Sequence, residues 1–262
     1  MLTIDNIHKT FFPGSVNEKR ALQGVSLTLQ DGDFATVIGS NGAGKSTLLN
    51  AIAGAFYIDQ GQIRIDDIDV TRMPEHERAQ YIGRVFQDPM KGTASNMMIE
   101  ENLALASWRG KKLGLRWSFQ TQRTAQFKEA LKELGLGLED RMSAHVGLLS
   151  GGQRQALTLL MATLVKPRLL LLDEHTAALD PKTAEKVLQL TERLVKADHL
   201  TTLMITHNMR DALRFGNRLI MMHQGRIVVD VKEEEKSKLT VPDLLALFEK
   251  GAGVVTDEML LS

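Results

Sequence analysis

Residues 36–54 read TVIGSNGAGKSTLLNAIAG, a short β-branched run that breaks into glycines around one lysine and resumes at helical spacing until Gly54. Gly39-Ser-Asn-Gly-Ala-Gly44-Lys45-Ser46 satisfies G-x-x-x-x-G-K-[ST] between a strand and a helix, and no other stretch restricts the fold as tightly. Glycines let the backbone curl until successive N–H groups point inward, the arrangement that receives phosphate oxygens. The helix that follows offers its positive end to the same anion. Lys45 adds a mobile charge for β- and γ-phosphates, and Ser46 a hydroxyl ligand for Mg²⁺. A glycine turn that binds nothing would match this pattern in roughly one chain in a hundred of this length. The flanking strand and helix tell against that bland alternative.

Further along, apolar runs alternate with helical patterns. RLLLLD (168–173) is uninterrupted enough to be a strand buried on both faces, and TTLMITH (201–207) is another such run. Helices are expected over about 151–165 and over 181–196, with Pro181 in the first turn of the second. This alternation argues an α/β fold around a parallel sheet. The early segments LTIDNIHKTF, ALQGVSLTL and QIRIDDIDV alternate instead like antiparallel strands, which implies a second, smaller sheet. Residues 88–148 hold no comparable buried strand and read as an inserted helical subdomain, with a basic stretch at 109–116. After Asp230 the charge run KEEEKSK is expected to be solvated surface, and PDLLALFEK a helix.

Two more motifs bear on chemistry. RLLLLDE (168–174) ends a buried strand in two acids, at the carboxyl edge where α/β sheets bind ligands. There Asp173 is placed to hold Mg²⁺ through water and Glu174 to polarise an attacking water. An ordinary strand ending in a solvated acidic turn would look the same alone; beside the glycine loop it loses. LSGGQRQ (149–155) opens a helix that Ser150 can cap, while Gly151 and Gly152 leave backbone N–H groups bare. One chain thus carries two phosphate-seeking sites. The economical explanation is a head-to-tail dimer, in which LSGGQ of one subunit closes over ATP on the glycine loop of the other.

These three motifs, in this order, resemble the nucleotide-binding domain of ABC (ATP-binding cassette) ATPases, over about residues 1–230. The resemblance implies a P-loop NTPase with a parallel core sheet, an antiparallel β subdomain, the inserted α-helical subdomain at 88–148 and a short helical extension at 231–262. By it, Gly39, Ser40, Asn41, Gly42, Ala43, Gly44, Lys45, Ser46 and Thr47 cradle the nucleotide, and Ser150, Gly151, Gly152 and Gln153 complete the site of a partner. VFQDP (85–89) is similar to the Q-loop, which makes Gln87 a sensor of Mg²⁺ and of a transmembrane partner. AALD (177–180) is similar to the D-loop, with Asp180 at the dimer interface, and ITHNM (205–209) to the switch, with His207 on the γ-phosphate. In KTFFPG (9–14) Phe11 aligns best with the aromatic that stacks on adenine, Phe12 being the alternative. Lys45 and Gln87 join Glu174 and His207 as the implied catalytic set, and Ser46, Gln87 and Asp173 as the implied Mg²⁺ set. The chain departs from the family's commonest pattern at His175, where proline usually follows the glutamate.

Composition removes competing classes. The 262 residues include 32 Lys and Arg against 32 Asp and Glu, so no global basic field favours nucleic acid. With no cysteine, thiol catalysis, disulfides and cysteine-ligated zinc are excluded. His8, His76, His145, His199 and His223 show no metal-ligand spacing, and the twelve methionines read as packing. MLTIDNIHKT lacks a signal-peptide core, and no apolar run approaches the ~20 residues of a membrane span. The expectation is therefore a cytoplasmic ATPase, peripheral at the inner face of the cell membrane, that binds ATP and Mg²⁺ and energises transmembrane permease subunits. TASNMMIEENLALA resembles a run that importer ATPases carry after the Q-loop, which implies an importer, served indirectly by an extracytoplasmic solute-binding protein. The resemblance is strongest to a subgroup associated with amino acids, including aromatic ones. The alternative is a soluble ABC ATPase of macromolecular assembly.

Overall fold

The computed structural model describes residues 1–111 and 121–252, so most of the basic stretch 109–116 and the last ten residues of the expected C-terminal extension lie outside the described residues. The chain divides into two compact units, one formed by residues 1–78 with 199–262 and the other by residues 79–198.

In chain order the first unit opens with β1 (Leu2–Phe11) and β2 (Lys19–Leu29), then β3 (Phe34–Ile38), α1 (Lys45–Ala53), β4 (Gln60–Ile65), the two-residue β5 (Ile68–Asp69) and a single turn α2 (Glu75–Arg78). β1 pairs antiparallel with β2 through Leu2↔Leu29 and Ile4↔Leu27, and with β4 through Leu2↔Ile65 and Ile4↔Ile63. Period-two alternation sends Leu2, Ile4 and Ile7 inward, and a left-handed Asn6 shifts the register between Ile4 and Ile7. Order β2-β1-β4-β5 makes this the smaller antiparallel sheet that the sequence implied.

The second unit carries β6 (Ile82–Val85), α3 (Ile99–Ser107), α4 (Thr121–Lys132), α5 (Gly151–Thr163), β7 (Leu169–Asp173) and α6 (Pro181–Ala197). β6 and β7 run parallel in the register Ile82↔Leu169 to Val85↔Leu172, and Leu169–Leu172 are all buried, as a strand covered on both faces requires. α6 starts on an Asp180 cap with Pro181 in its first turn and buries Val187, Leu190, Thr191, Leu194 and Val195 on one stripe. Between β6 and β7 the described residues form helices and turns, with one isolated bridge joining Met98 and His145.

The chain then returns to the first unit with β8 (Thr202–Ile205), α7 (Met209–Arg214), β9 (Arg218–His223), β10 (Arg226–Lys232), α8 (Glu233–Ser237) and α9 (Val241–Ala252). β3 lies between β8 and β9, parallel to both, and β10 closes antiparallel on β9. A core of Ile38, Ala212, Leu219, Met221, Val229, Val231, Leu244 and Phe248 seats α9 against α7 and β10. One expectation needs correction here. Six residues of KEEEKSK are exposed, but Lys236 is only 3% exposed and its Nζ donates to the carbonyls of Phe215 and Gly216. The charge run is not all solvated surface, because one of its lysines satisfies the carbonyls left open past the end of α7.

Candidate functional site

In the first unit, β3 delivers the glycine loop. Phe34–Ile38 are buried throughout, and the chain turns at Gly39, where a Cβ would lie 2.2 Å from the carbonyl oxygen of Met222. Gly44 begins α1 at φ 101°, and a Cβ there would lie 2.7 Å from the carbonyl oxygen of Ala21. Glycine is required at both positions, by space at the first and by space and conformation at the second. No acid stands in the first turn of α1 and no side chain caps it, so the positive end of that helix faces the loop without a built-in anion. The Lys45 ammonium folds back over the loop and donates to the carbonyl oxygens of Gly39 (2.7 Å) and Ser40 (3.2 Å), leaving the residue 7% exposed. Asn41, Gly42 and Ser46 are exposed, Ser40 and Thr47 half-buried, and Ala43 is buried.

Parallel pairing of Val37 with Ile205, continued by Thr206 N–H donating to the Val37 carbonyl, brings the ends of β3 and β8 side by side. His207 therefore emerges at the same sheet edge as the glycine loop, and it is exposed. Asn208 caps α7 directly behind it by accepting from Arg210 N–H (2.9 Å) and Asp211 N–H (3.2 Å). Phe11, at the end of β1, is half-buried with its ring edge-on to Phe56 at 5.2 Å, and Lys9 Nζ lies 5.6 Å from its centroid. Phe12 is 68% exposed.

The second unit repeats the logic at the carboxyl edge of β6 and β7. Gln87 follows β6, exposed, and Asp173 and Glu174 finish β7, half-buried. The Val85↔Leu172 register places Gln87 and the two acids at one edge. Glu174 takes a left-handed φ of 43°, and its carbonyl accepts from Ala177 N–H at 3.0 Å. His175 is 2% exposed; burial pushes its imidazole down to about 4, so it stays neutral at ordinary pH. Asp180 caps α6 by accepting from Thr183 N–H (3.1 Å), and the hydrogen bonds of Thr183 hold its carboxyl below the usual range.

Ser150 opens α5 with a reciprocal capping box. Its hydroxyl accepts from Gln153 N–H (3.3 Å), and Gln153 Oε1 accepts from Ser150 N–H (3.2 Å). Gly151 is exposed, whereas Gly152 is buried against α6, where a Cβ would meet the Thr183 methyl at 2.1 Å. Two residues to which the sequence reading gave no role stand directly behind the motif. The Arg154 guanidinium donates to the carbonyls of Val146, Gly147 and Leu149, which pins the approach to Ser150. The buried Gln155 donates to the Phe86 carbonyl at 3.3 Å, next to Gln87. Both lie inside the quoted LSGGQRQ, but their partners are carbonyls whose position no residue spacing reveals.

For Mg²⁺, the candidate donors Ser46, Gln87 and Asp173 are all oxygens. Among the described residues no group of three or more His, Cys, Asp or Glu could hold a metal ion. Oxygen donors of this kind, Ser46 in the first unit and Gln87 with Asp173 in the second, are each of the hard type Mg²⁺ takes, an ion that keeps phosphate oxygens and water as most of its ligands.

The model of the family described as ABC transporter matches residues 22–177. A tyrosine transport ATP-binding protein of Clostridioides difficile is 46% identical over 250 residues, 95% of this chain and 99% of that protein. The energy-coupling factor transporter ATP-binding protein EcfA2 of Clostridium acetobutylicum is 31% identical over 260 residues, 95% of this chain and 88% of that protein. Among solved structures, the dimeric post-hydrolysis state of the ATP-binding cassette MJ0796 bound to ADP and Pi is 30% identical, with a TM-score of 0.74 over 88% of this chain and 98% of that one.

Proposed function

The chain belongs to the ABC transporter family, as an ATP-binding and ATP-hydrolysing subunit, and on that premise we propose that it energises uptake of a small solute, an amino acid of the tyrosine class. The 46% identity to a tyrosine transport ATP-binding protein supports that choice of solute. The relatives are transport subunits, so the assembly alternative has no support among them. The observation that carries the nucleotide reading is the loop 39–47, with its uncapped helix start and its lysine already folded over the loop.

Each site residue then takes a role. Backbone N–H groups of Gly39–Thr47 and the ammonium of Lys45 receive the phosphates. Ser46, Gln87 and Asp173 would hold Mg²⁺, which would supply positive charge against the phosphates. Glu174 orients and polarises the attacking water, and His207 donates toward the γ-phosphate. Phe11 stacks on adenine. Ser150, Gly151, Gly152 and Gln153 close over ATP held by a second copy, with Asp180 at that interface. Among the described residues no helix is long and apolar enough to cross a membrane. In this reading permease subunits dock on the helical insert 88–148 beside Gln87, with the chain at the inner membrane face, and the transport relatives support it. A solute-binding protein acts at one remove.

The test is steady-state ATP hydrolysis across a protein-concentration series, with Glu174→Gln alongside. Activity should rise more steeply than linearly and vanish in the variant, which still binds ATP. Wild-type turnover by Glu174→Gln would remove the glutamate from the mechanism. For the solute, membrane vesicles carrying the permease should take up labelled tyrosine only with ATP and the intact subunit.

A further inference from the structure

The backbone of Glu174 is strained. At φ 43° a non-glycine residue lies in the left-handed region, a costly conformation that the surroundings must hold in place. On the carboxyl side the next residue, His175, is buried, and its Nε2 lies 3.0 Å from the Thr191 hydroxyl in the middle of α6. Thr191 is itself buried and donates its hydroxyl proton to the Val187 carbonyl, 2.8 Å away. With that proton engaged, the hydroxyl can only accept from His175, which fixes the imidazole as the tautomer with hydrogen on Nε2. The strained peptide is thus anchored at one point to α6, the helix that Asp180 caps and against which Gly152 packs. The Ala177 N–H bond to the Glu174 carbonyl closes the turn on the same side.

We propose that His175 and Thr191 are a positioning pair that sets the aim of the Glu174 carboxylate by anchoring its strained backbone to α6. Neither touches substrate. The proposal rests on the reading of Glu174 as the residue that polarises the attacking water. It places that residue's orientation under the control of the helix that follows the dimer-interface aspartate.

Two variants separate positioning from stability. Thr191→Val alone leaves a buried donor without its acceptor, which destabilises as well as untethers. The double variant His175→Phe with Thr191→Val replaces both polar groups by apolar ones of similar shape and keeps the core filled. In the double variant kcat should fall about tenfold while KM for ATP and the melting temperature hold, because a small misplacement of a catalytic group is costly. Hydrogen exchange at the Ala177 amide should quicken, and Thr191→Ser in the otherwise unaltered chain, which keeps the hydroxyl acceptor for His175, should hold kcat near the wild-type value. An unchanged kcat in the double variant, or a loss that follows the melting temperature across the series, overturns the proposal. Glu174→Gln run beside them tells the two failures apart. If it still turns over ATP, the reading of Glu174 falls and the pair falls with it. If it is inactive while the double variant is fully active, only the pairing is wrong.

Discussion

Lys45 donates to Gly39 and Ser40, so its ammonium sits over the glycine loop. A phosphate oxygen replaces carbonyl acceptors at one place, and little side-chain entropy remains to be lost on binding. Lys45→Ala should weaken ATP binding by about 10- to 100-fold, since charge-assisted hydrogen bonds contribute about 1.5–3 kcal/mol each. Calorimetry or fluorescent-nucleotide titration reads this, and an unchanged affinity would remove the lysine from the site. Residues of this kind were legible in the sequence because their chemistry is local: glycines, lysine and serine act within one turn of chain. Arg154, Gln155 and the His175–Thr191 contact were not legible. Their partners lie up to 69 residues away in the chain and are backbone carbonyls or a hydroxyl, whose positions depend on how helices pack.

The C-terminal helices make the same point for whole elements. PDLLALFEK reads as a helix in the sequence, and α9 forms there. Its seat against α7 could not be read, because it depends on Leu244 and Phe248 meeting Ala212 and Leu219 across the unit. The short α8 hid more. Burial pushes Lys236 down to about 8 from the usual lysine value near 10.5. Between those two values the unfolded chain keeps a proton that the folded chain has released. Stability from this group therefore increases as pH rises through the window and is flat below it. From about pH 7.5 to about pH 9.5, wild type should gain about 2 kcal/mol relative to Lys236→Met. Urea titrations at the two pH values measure it, and parallel profiles would mean the ammonium is not desolvated as its burial implies. From α8 its ammonium holds the carbonyls of Phe215 and Gly216, just past α7, the helix that follows His207, so the same variant also asks whether α7 must be held for hydrolysis.

For the molecule as a whole, the capping box at Ser150 and the loop at Gly39–Thr47 are two anion-seeking helix starts on one chain. Ser150→Arg should leave ATP binding by the monomer intact while abolishing hydrolysis and any ATP-dependent dimerisation, which gel filtration would read. A small part of the effect comes from the lost cap, about 1 kcal/mol of helix stability. Normal hydrolysis in that variant would rule out closure by a second copy. The alternation of runs and helices was enough to reach an α/β fold with a second, antiparallel sheet, because period and burial leave direct marks on composition. It did not show that the chain leaves one compact unit at residue 79 and re-enters it at 199, since that division depends on which distant strands pair. The re-entry matters on the ribosome. The antiparallel pairing of β1, β2 and β4 uses only early residues, but β3 is buried and finds its neighbours in β8 and β9. At about 5–20 residues per second, β3 waits roughly ten to thirty seconds for β8 to be synthesised. Through that interval the nascent chain must keep the apolar, β-branched strand FATVI from pairing with a neighbouring polypeptide, so chaperone supply rather than equilibrium stability would limit its yield.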